Sequence, residues 1–412
     1  MMPSAYFKAT LQSAFDRSDR IFELLGSDRW LEQPILLRHP FIFYLGHLPA
    51  FAWNQVGRGV LERGHLRADF DLLFERGIDP ADEARARDAA IHRWPSVDEV
   101  LDYRDQARKA LLSCIPDVLS RPEDILCEHG RVLHVVIEHE LMHQETLLYM
   151  LQEHAHGALR GEKPAFEEGG GREAQARRIP GGELRLGVDF EAIEFGWDNE
   201  FGHRPVHLKD FFLDSLPVRN KDYLGFLQEQ SQTNRQRLMP QAWLESGAQR
   251  QVKTVFGPLP FEMAEGWPVQ VSGAQARAYC ASKGGRLPKE AELVHASRGE
   301  NGERALHPNL GFKRWSPMPT GAHPESASVH GVEELVGNGW EWTSTRFEPL
   351  PGFNPYVRSY PGYSADFFDG EHDIVFGASW ATDSKLVRPS FRNWYRRDYP
   401  YVFSSFRVAW DG

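Results

Sequence analysis

The hydrophobic pattern of this chain changes character once, and that change limits what it can fold into. As far as about residue 156, apolar side chains recur at the three- and four-residue spacing of amphipathic helices, with few strand signals. Four helices are predicted there, the first over Ala5–Leu25 and the second, carrying His47, over His39–Arg63. A third starts at Ser96, where Ser96 and Glu99 form a capping box, and runs to about Leu119. The fourth runs from near Pro122 to about His154. Four helices in residues 1–156 point to a four-helix bundle, an architecture whose core commonly hosts metals on facing helices. Residues 157–178 are charged and glycine-rich and read as a linker. From 179 to 412, short apolar runs, Gly/Pro/Asn turns and many tryptophans replace the helical period. Only Ser272–Lys283 and Pro288–Ala296 read as helices there, so the expected class is an α+β multidomain protein.

With 412 residues, the chain can bury two or more cores. A net charge of −11 makes nucleic acid or an anionic membrane a poor partner. No run of 18 apolar residues is present and MMPSAYFKATLQSAFDR lacks a signal-peptide core, so a cytoplasmic location is expected. Cys114, Cys127 and Cys280 are scattered and form neither a disulfide framework nor a CxxC pair. No feature calls for an obligate protein partner.

Three histidines carry the chemistry. His139 and His143, in HELMHQET, stand at i and i+4 on one helical face, where both imidazoles reach one cation. His47, in FYLGHLPAFAWNQ, adds a third nitrogen from another helix, leaving positions open for substrate as a catalytic site requires. Spacing alone is weak support, because 17 histidines in 412 residues give ~0.7 such pairs by chance. A second pair, His203 and His207, encloses Pro205, which argues against a helix and for loop or strand positions. HELMH also fits the zinc-protease signature, in which Glu140 would be the general base. A zinc protease of that kind takes its third ligand from downstream, whereas the best partner here lies upstream. Glu140 also projects about 100° away from the ligand pair, which suits a supporting role. Three imidazoles would by themselves serve zinc, copper, nickel or iron.

Six further segments follow one another in order: IPGGELRLG, FGWDNEFGHRPVHLKDFFLDSLPVRNKDY, PVQVSGAQARAYCASKGGRLPKEAEL, ELVGNGWEWTST, FGASWAT, and RPSFRNWY with SFRVAW after it. Together they resemble a formylglycine-generating-enzyme-type domain, which has a C-type-lectin-like fold. The helical half resembles the DinB-like four-helix bundle. Joined in this order, the chain resembles the ergothioneine-type sulfoxide synthases and their close relative, selenoneine synthase. The resemblance implies a nonheme iron(II), Fe(2+), held by His47, His139 and His143. It further implies that hercynine binds through its imidazole, and that O2 drives a bond from sulfur or selenium to imidazole C2. Formylglycine generation itself needs a reactive cysteine pair, and Cys280, alone in its half, reads as a small core residue. A purely binding module stays open as a reading, although binding would not need the histidine triad.

Departures from the family pattern bear on the second substrate. Asn393 and Trp394, in RNWY, match residues that cradle hercynine, the indole face accepting its quaternary ammonium. Tyr395 stands where enzymes that use γ-glutamylcysteine carry an aspartate. Arg104 matches a carboxylate-binding arginine, but Ala107 replaces a second one a turn later. Phe347 stands where the family has a tyrosine that supplies a proton or hydrogen atom. Met142 replaces a glutamine beside hercynine, and its thioether is a weak acceptor in a more apolar pocket. The resemblance thus assigns Phe347 and Tyr395 to the catalytic region, and Asn393, Trp394, Met142 and Arg104 to substrate binding. The departures favour a selenosugar donor and a carbon–selenium bond as the main expectation. The alternative is a sulfoxide synthase accepting cysteine, γ-glutamylcysteine or another thiol.

Overall fold

The computed structural model describes residues 3–75, 93–154, 159–161, 163–247, 249–299 and 308–412. The sequence-based boundary at 156/157 lies outside these residues. The chain divides into two compact units. The first comprises 1–162 together with Ile193–Asp198 and Pro355–Tyr363, and the second comprises the remainder.

Unit one is helical. Helix α1 spans Ser4–Leu25 and α2 spans Phe41–Trp53, running on through a π-helical stretch, Asn54–Val60. The short α3 covers Ala68–Leu73, α4 Val97–Leu119 and α5 Arg131–Glu153. Helix α1 buries Phe7, Leu11, Ala14, Phe15, Ser18, Ile21, Phe22 and Leu25, one stripe at helical spacing. Every residue of α2 is buried, so it is the central helix and its hydrophobicity has no polar face. The Ser96 capping box forms as expected: Glu99 N–H donates to Ser96 Oγ, and Ser96 N–H donates to Glu99 Oε2.

The fourth helix differs from expectation. It starts at Arg131 rather than near Pro122, because His129 (φ 55°) and Gly130 (φ 70°) take left-handed conformations that no α-helix accommodates. The two late segments of this unit are held by named contacts. Arg131 donates to the Glu194 carbonyl, the Tyr356 hydroxyl to the Gly196 carbonyl, and Arg358 forks onto Asp124.

Unit two is built on strands. They are β1 (Ala176–Ile179), β2 (Gly182–Leu186), β3 (Arg204–Leu208), β4 (Phe211–Asp214), β5 (Trp243–Ser246) and β6 (Gln249–Val252). There follow β7 (Leu259–Pro260), β8 (Gly339–Arg346), β9 (His372–Ala378), β10 (Asn393–Arg396), β11 (Ser404–Ser405) and β12 (Ala409–Asp411). The sheets run β1-β4-β12, β10-β9-β8-β11, β2-β3 and β5-β6-β7. Strand β1 begins inside the stretch read as linker. A core of Ile179, Leu213, Leu293, Val332, Val336, Phe376 and Ala409 packs between the strands and the helix Glu290–Ala296. The predicted helices appear as Gly273–Ser282 and Glu290–Ala296. Asn220–Gln228 and Gln232–Leu238 are helical as well, too short and polar for their period to register. The result is a helical N-terminal unit followed by a sheet-containing one, the α+β class expected. Among the described residues, no helix is long and apolar enough to cross a membrane.

Candidate metal centre

Helices α2 and α5 bring His47, His139 and His143 together, with one ligand nitrogen from each lying within 4.8 Å of the other two. Ring centroids are 4.4 Å apart for His139 and His143, and 5.1 Å from His47 to each. The i, i+4 spacing places the α5 pair, and the wholly buried α2 carries the third ring to them.

Each ring is oriented by what it touches. His47 Nδ1 lies 2.8 Å from the Phe74 carbonyl, an acceptor, so Nδ1–H donates and the Nε2 lone pair remains for a cation. Phe74 comes close because residue 46 is glycine, where a Cβ would meet the Phe74 ring at 2.6 Å. Phe51 lies flat on His139 at 3.5 Å, and Phe43 stacks on His47 at 5.0 Å. Burial lowers His47 to about 4, and burial together with the neighbouring imidazoles puts His139 and His143 well below the usual histidine range. The rings are therefore neutral at physiological pH, the form that binds metals. Nδ1 of His143 is buried without a hydrogen-bond partner, as a ring set among metal ligands rather than in a hydrogen-bonded core would be. The donor set fits a divalent ion of the iron-to-zinc series, with positions left for other ligands.

Glu140 faces elsewhere. It accepts from Ser18 Oγ of α1 at 2.6 Å, and Arg108 of α4 approaches at 3.9 Å. Burial pushes its carboxyl up to about 7. Gln144, one turn on, donates to Ser18 Oγ and the Ala14 carbonyl, so this face of α5 is tied to α1. Glu140→Gln is accordingly expected to keep activity within about tenfold of the parent, whereas loss of a general base costs about 10²–10⁴. Turnover of the purified variant decides between the two.

The other expected site residues are placed as follows. Met142 is half-buried and accepts the Tyr363 hydroxyl at 3.5 Å. Arg104 is paired with Asp19 and Asp105, and Arg108 forks onto the same Asp19. In unit two, Phe347 is fully buried and stacks flat on Trp394 at 3.9 Å and 7°. The Asn393 side-chain carbonyl accepts the Trp394 N–H, and Tyr395 stacks parallel to Tyr399 at 5.9 Å. His207 lies on β3 and pairs with Glu183, while His203 pairs with Asp189, strand and loop positions as expected. Cys280 is buried, and burial pushes its thiol up, away from reactivity.

Phe51 and Phe74, which orient the ligands, were not singled out by sequence, nor were Trp197, Tyr360 and Tyr363. Phe51 offered a signal, standing one turn after His47 on the same face.

Two family models match the chain. The Sulfatase-modifying factor enzyme 1-like domain covers residues 164–412 and the DinB superfamily covers residues 10–147. The "Hercynine oxygenase" of Mycobacterium tuberculosis is 36% identical over 68% of this chain and 71% of its own length. That of Mycolicibacterium thermoresistibile is 32% identical over 85% of this chain and 87% of its own. "Ergothioneine biosynthesis protein 1" of Neurospora crassa is 31% identical over 94% of this chain and 56% of its own. The chain thus spans about half the length of the fungal relatives it matches.

Proposed function

The chain belongs to the sulfatase-modifying factor enzyme 1-like family and, across both halves, to the family of the hercynine oxygenases, and from that premise we propose an O2-dependent nonheme iron enzyme that joins hercynine to a thiol. The observation that carries this reading is the cluster of three neutral histidines on α2 and α5, two buried and His143 half-buried. Iron(II) bound there would supply coordination of the hercynine imidazole and activation of O2.

The protein's own groups have separable tasks in this reading. His47, held by the Phe74 carbonyl, and His139, held under Phe51, have their rings fixed with a ligand nitrogen of each within 4.8 Å of the other. All three ligands are uncharged, so an ion's full positive charge remains to attract an anionic substrate group. Asn393 and Trp394 are proposed to hold hercynine, the amide at its carboxylate and the indole face at its trimethylammonium. The second contact contributes about 0.5–2 kcal/mol.

The relatives' names speak of ergothioneine and hercynine, which puts the thiol donor ahead of the selenosugar favoured by the sequence alone. The selenosugar reading keeps one specific support. Phe347 has no hydroxyl to donate, and it is fully buried against Trp394. Tyr395 likewise offers no carboxylate to a glutamyl amine. A competition assay separates the donors. The protein is loaded anaerobically with iron(II), given hercynine with a mixture of cysteine, γ-glutamylcysteine and a selenosugar, and then exposed to air. The expected product by mass spectrometry is a hercynine–thiol sulfoxide. A selenosugar adduct alone would establish carbon–selenium bond formation instead, and unconsumed hercynine would overturn both.

A further inference from the structure

A file of aromatic rings leads away from His139 inside unit one. Phe51 lies on the imidazole at 3.5 Å and 7°, and Tyr360 meets Phe51 edge-on at 5.3 Å. Tyr363 follows at 5.7 Å from Tyr360, and Trp197 stacks on Tyr363 at 3.8 Å and 21°. Trp197 also meets Phe195 edge-on at 5.6 Å, and beside it lies a buried carboxyl group. The Trp197 indole, 1% exposed, donates its N–H to the buried Glu138 carboxylate at 2.8 Å. Beyond His139 and Phe51, which fixes its ring, holding a metal needs none of these residues. Packing alone would be served by an apolar side chain at 138, since burying a carboxylate is costly.

We propose that Trp197, reached through Phe51, Tyr360 and Tyr363, is a resting place for oxidising equivalents that escape productive turnover at the three-histidine centre. The inference rests on the reading that this centre activates O2. Indole and phenol rings are the most readily oxidised aromatic side chains, and rings in van der Waals contact pass electrons well. Glu138 Oε2 accepts the Trp197 N–H, and an accepting oxygen at that hydrogen stabilises a cation on the ring, so the electron deficit settles on this indole. One electron leaves the Trp197 π-system and travels along the file to reduce an oxidant derived from O2 by one equivalent. The indole becomes a radical cation whose N–H proton stays in the hydrogen bond to Glu138. A small thiol that meets the half-buried Tyr360 returns the electron along the file, releases its proton to solvent, and pairs with a second such thiol as the disulfide. Without this outlet, oxidation falls on His139 and on the Met142 thioether, where a sulfoxide would put a polar group beside the ligand His143.

The test uses the full chain loaded with iron(II), without organic substrate, mixed with hydrogen peroxide and freeze-quenched. Peroxide delivers oxidising equivalents whether or not the centre reduces O2, so failure of the relay is distinguishable from failure of the O2 reading. The expected result is an organic radical whose paramagnetic-resonance signal narrows when tryptophan is ring-deuterated. In peptide maps after repeated exposure, added oxygen is expected at Trp197 and Tyr363. Trp197→Phe should abolish the signal and move the added oxygen to Met142 and His139. Glu138→Leu, which removes the acceptor of the indole N–H, should weaken the signal. A tryptophan signal that survives Trp197→Phe overturns the relay. So does a parent map with Trp197 and Tyr363 unmodified while His139 or Met142 gains oxygen. If Trp197→Phe does not fold, the map of the parent protein decides.

Discussion

Alanine at His139 is expected to remove stoichiometric iron binding and to lower hercynine consumption by more than about a hundredfold. That figure is the upper end of what losing a ligand's supporting partner costs, and loss of the ligand itself should exceed it. His139 is the natural choice because its ring lies 4.4 Å from His143 and 5.1 Å from His47, and it is fixed by Phe51. Two imidazoles then remain, too few to compete with solvent for a labile divalent ion. The fold should persist, since the substitution removes a neutral ring from a helix whose opposite face stays tied to α1 through Glu140 and Gln144. Metal analysis alongside turnover checks the expectation. A folded variant that retains one iron per chain and normal turnover would mean that the three histidines are not the centre.

The triad was legible because a helix converts spacing into geometry. HELMH fixes two rings on one face whatever surrounds them, and His47 needed only a second helix to reach them. The capping box at Ser96 was equally local and forms as expected. What the sequence does not reveal depends on contacts far apart along the chain. The segments Ile193–Asp198 and Pro355–Tyr363 have no period, yet they carry Trp197, Tyr360 and Tyr363 into unit one. The start of α5 is not legible because nothing in CEHGRV announces that His129, a non-glycine residue, takes a left-handed conformation. Arg104, read as a carboxylate-binding position, finds its carboxylate in Asp19 of α1. Helical spacing reports a face; it does not report which neighbour meets that face.

Unit two offers the largest expected effect on stability, at Arg407. Its guanidinium is fully buried and forks onto Glu341 of β8, itself 1% exposed, with Nε to Oε2 at 2.7 Å. The remaining donors reach the Asp214 carbonyl of β4 at 3.0 Å and the Glu333 carbonyl at 2.9 Å. One side chain therefore joins the sheet β10-β9-β8-β11 to the sheet β1-β4-β12. Arg407→Ala leaves a buried carboxylate and two carbonyls without these donors, and is expected to cost roughly 3–5 kcal/mol in urea unfolding. Arg407→Lys should recover only part of this, because an ammonium cannot reproduce the fork. The double variant Arg407→Met with Glu341→Leu should cost less than Arg407→Ala, since no charge is then stranded. Arg407→Met alone, which nearly keeps the volume but strands the carboxylate, should cost about as much as Arg407→Ala, whereas simple loss of volume would leave it close to the parent. The same bond bears on chemistry. Strand β10 is registered on β9 and through it on β8, so, on the proposed role of Asn393 and Trp394, loosening Glu341 should weaken hercynine binding as well as the fold.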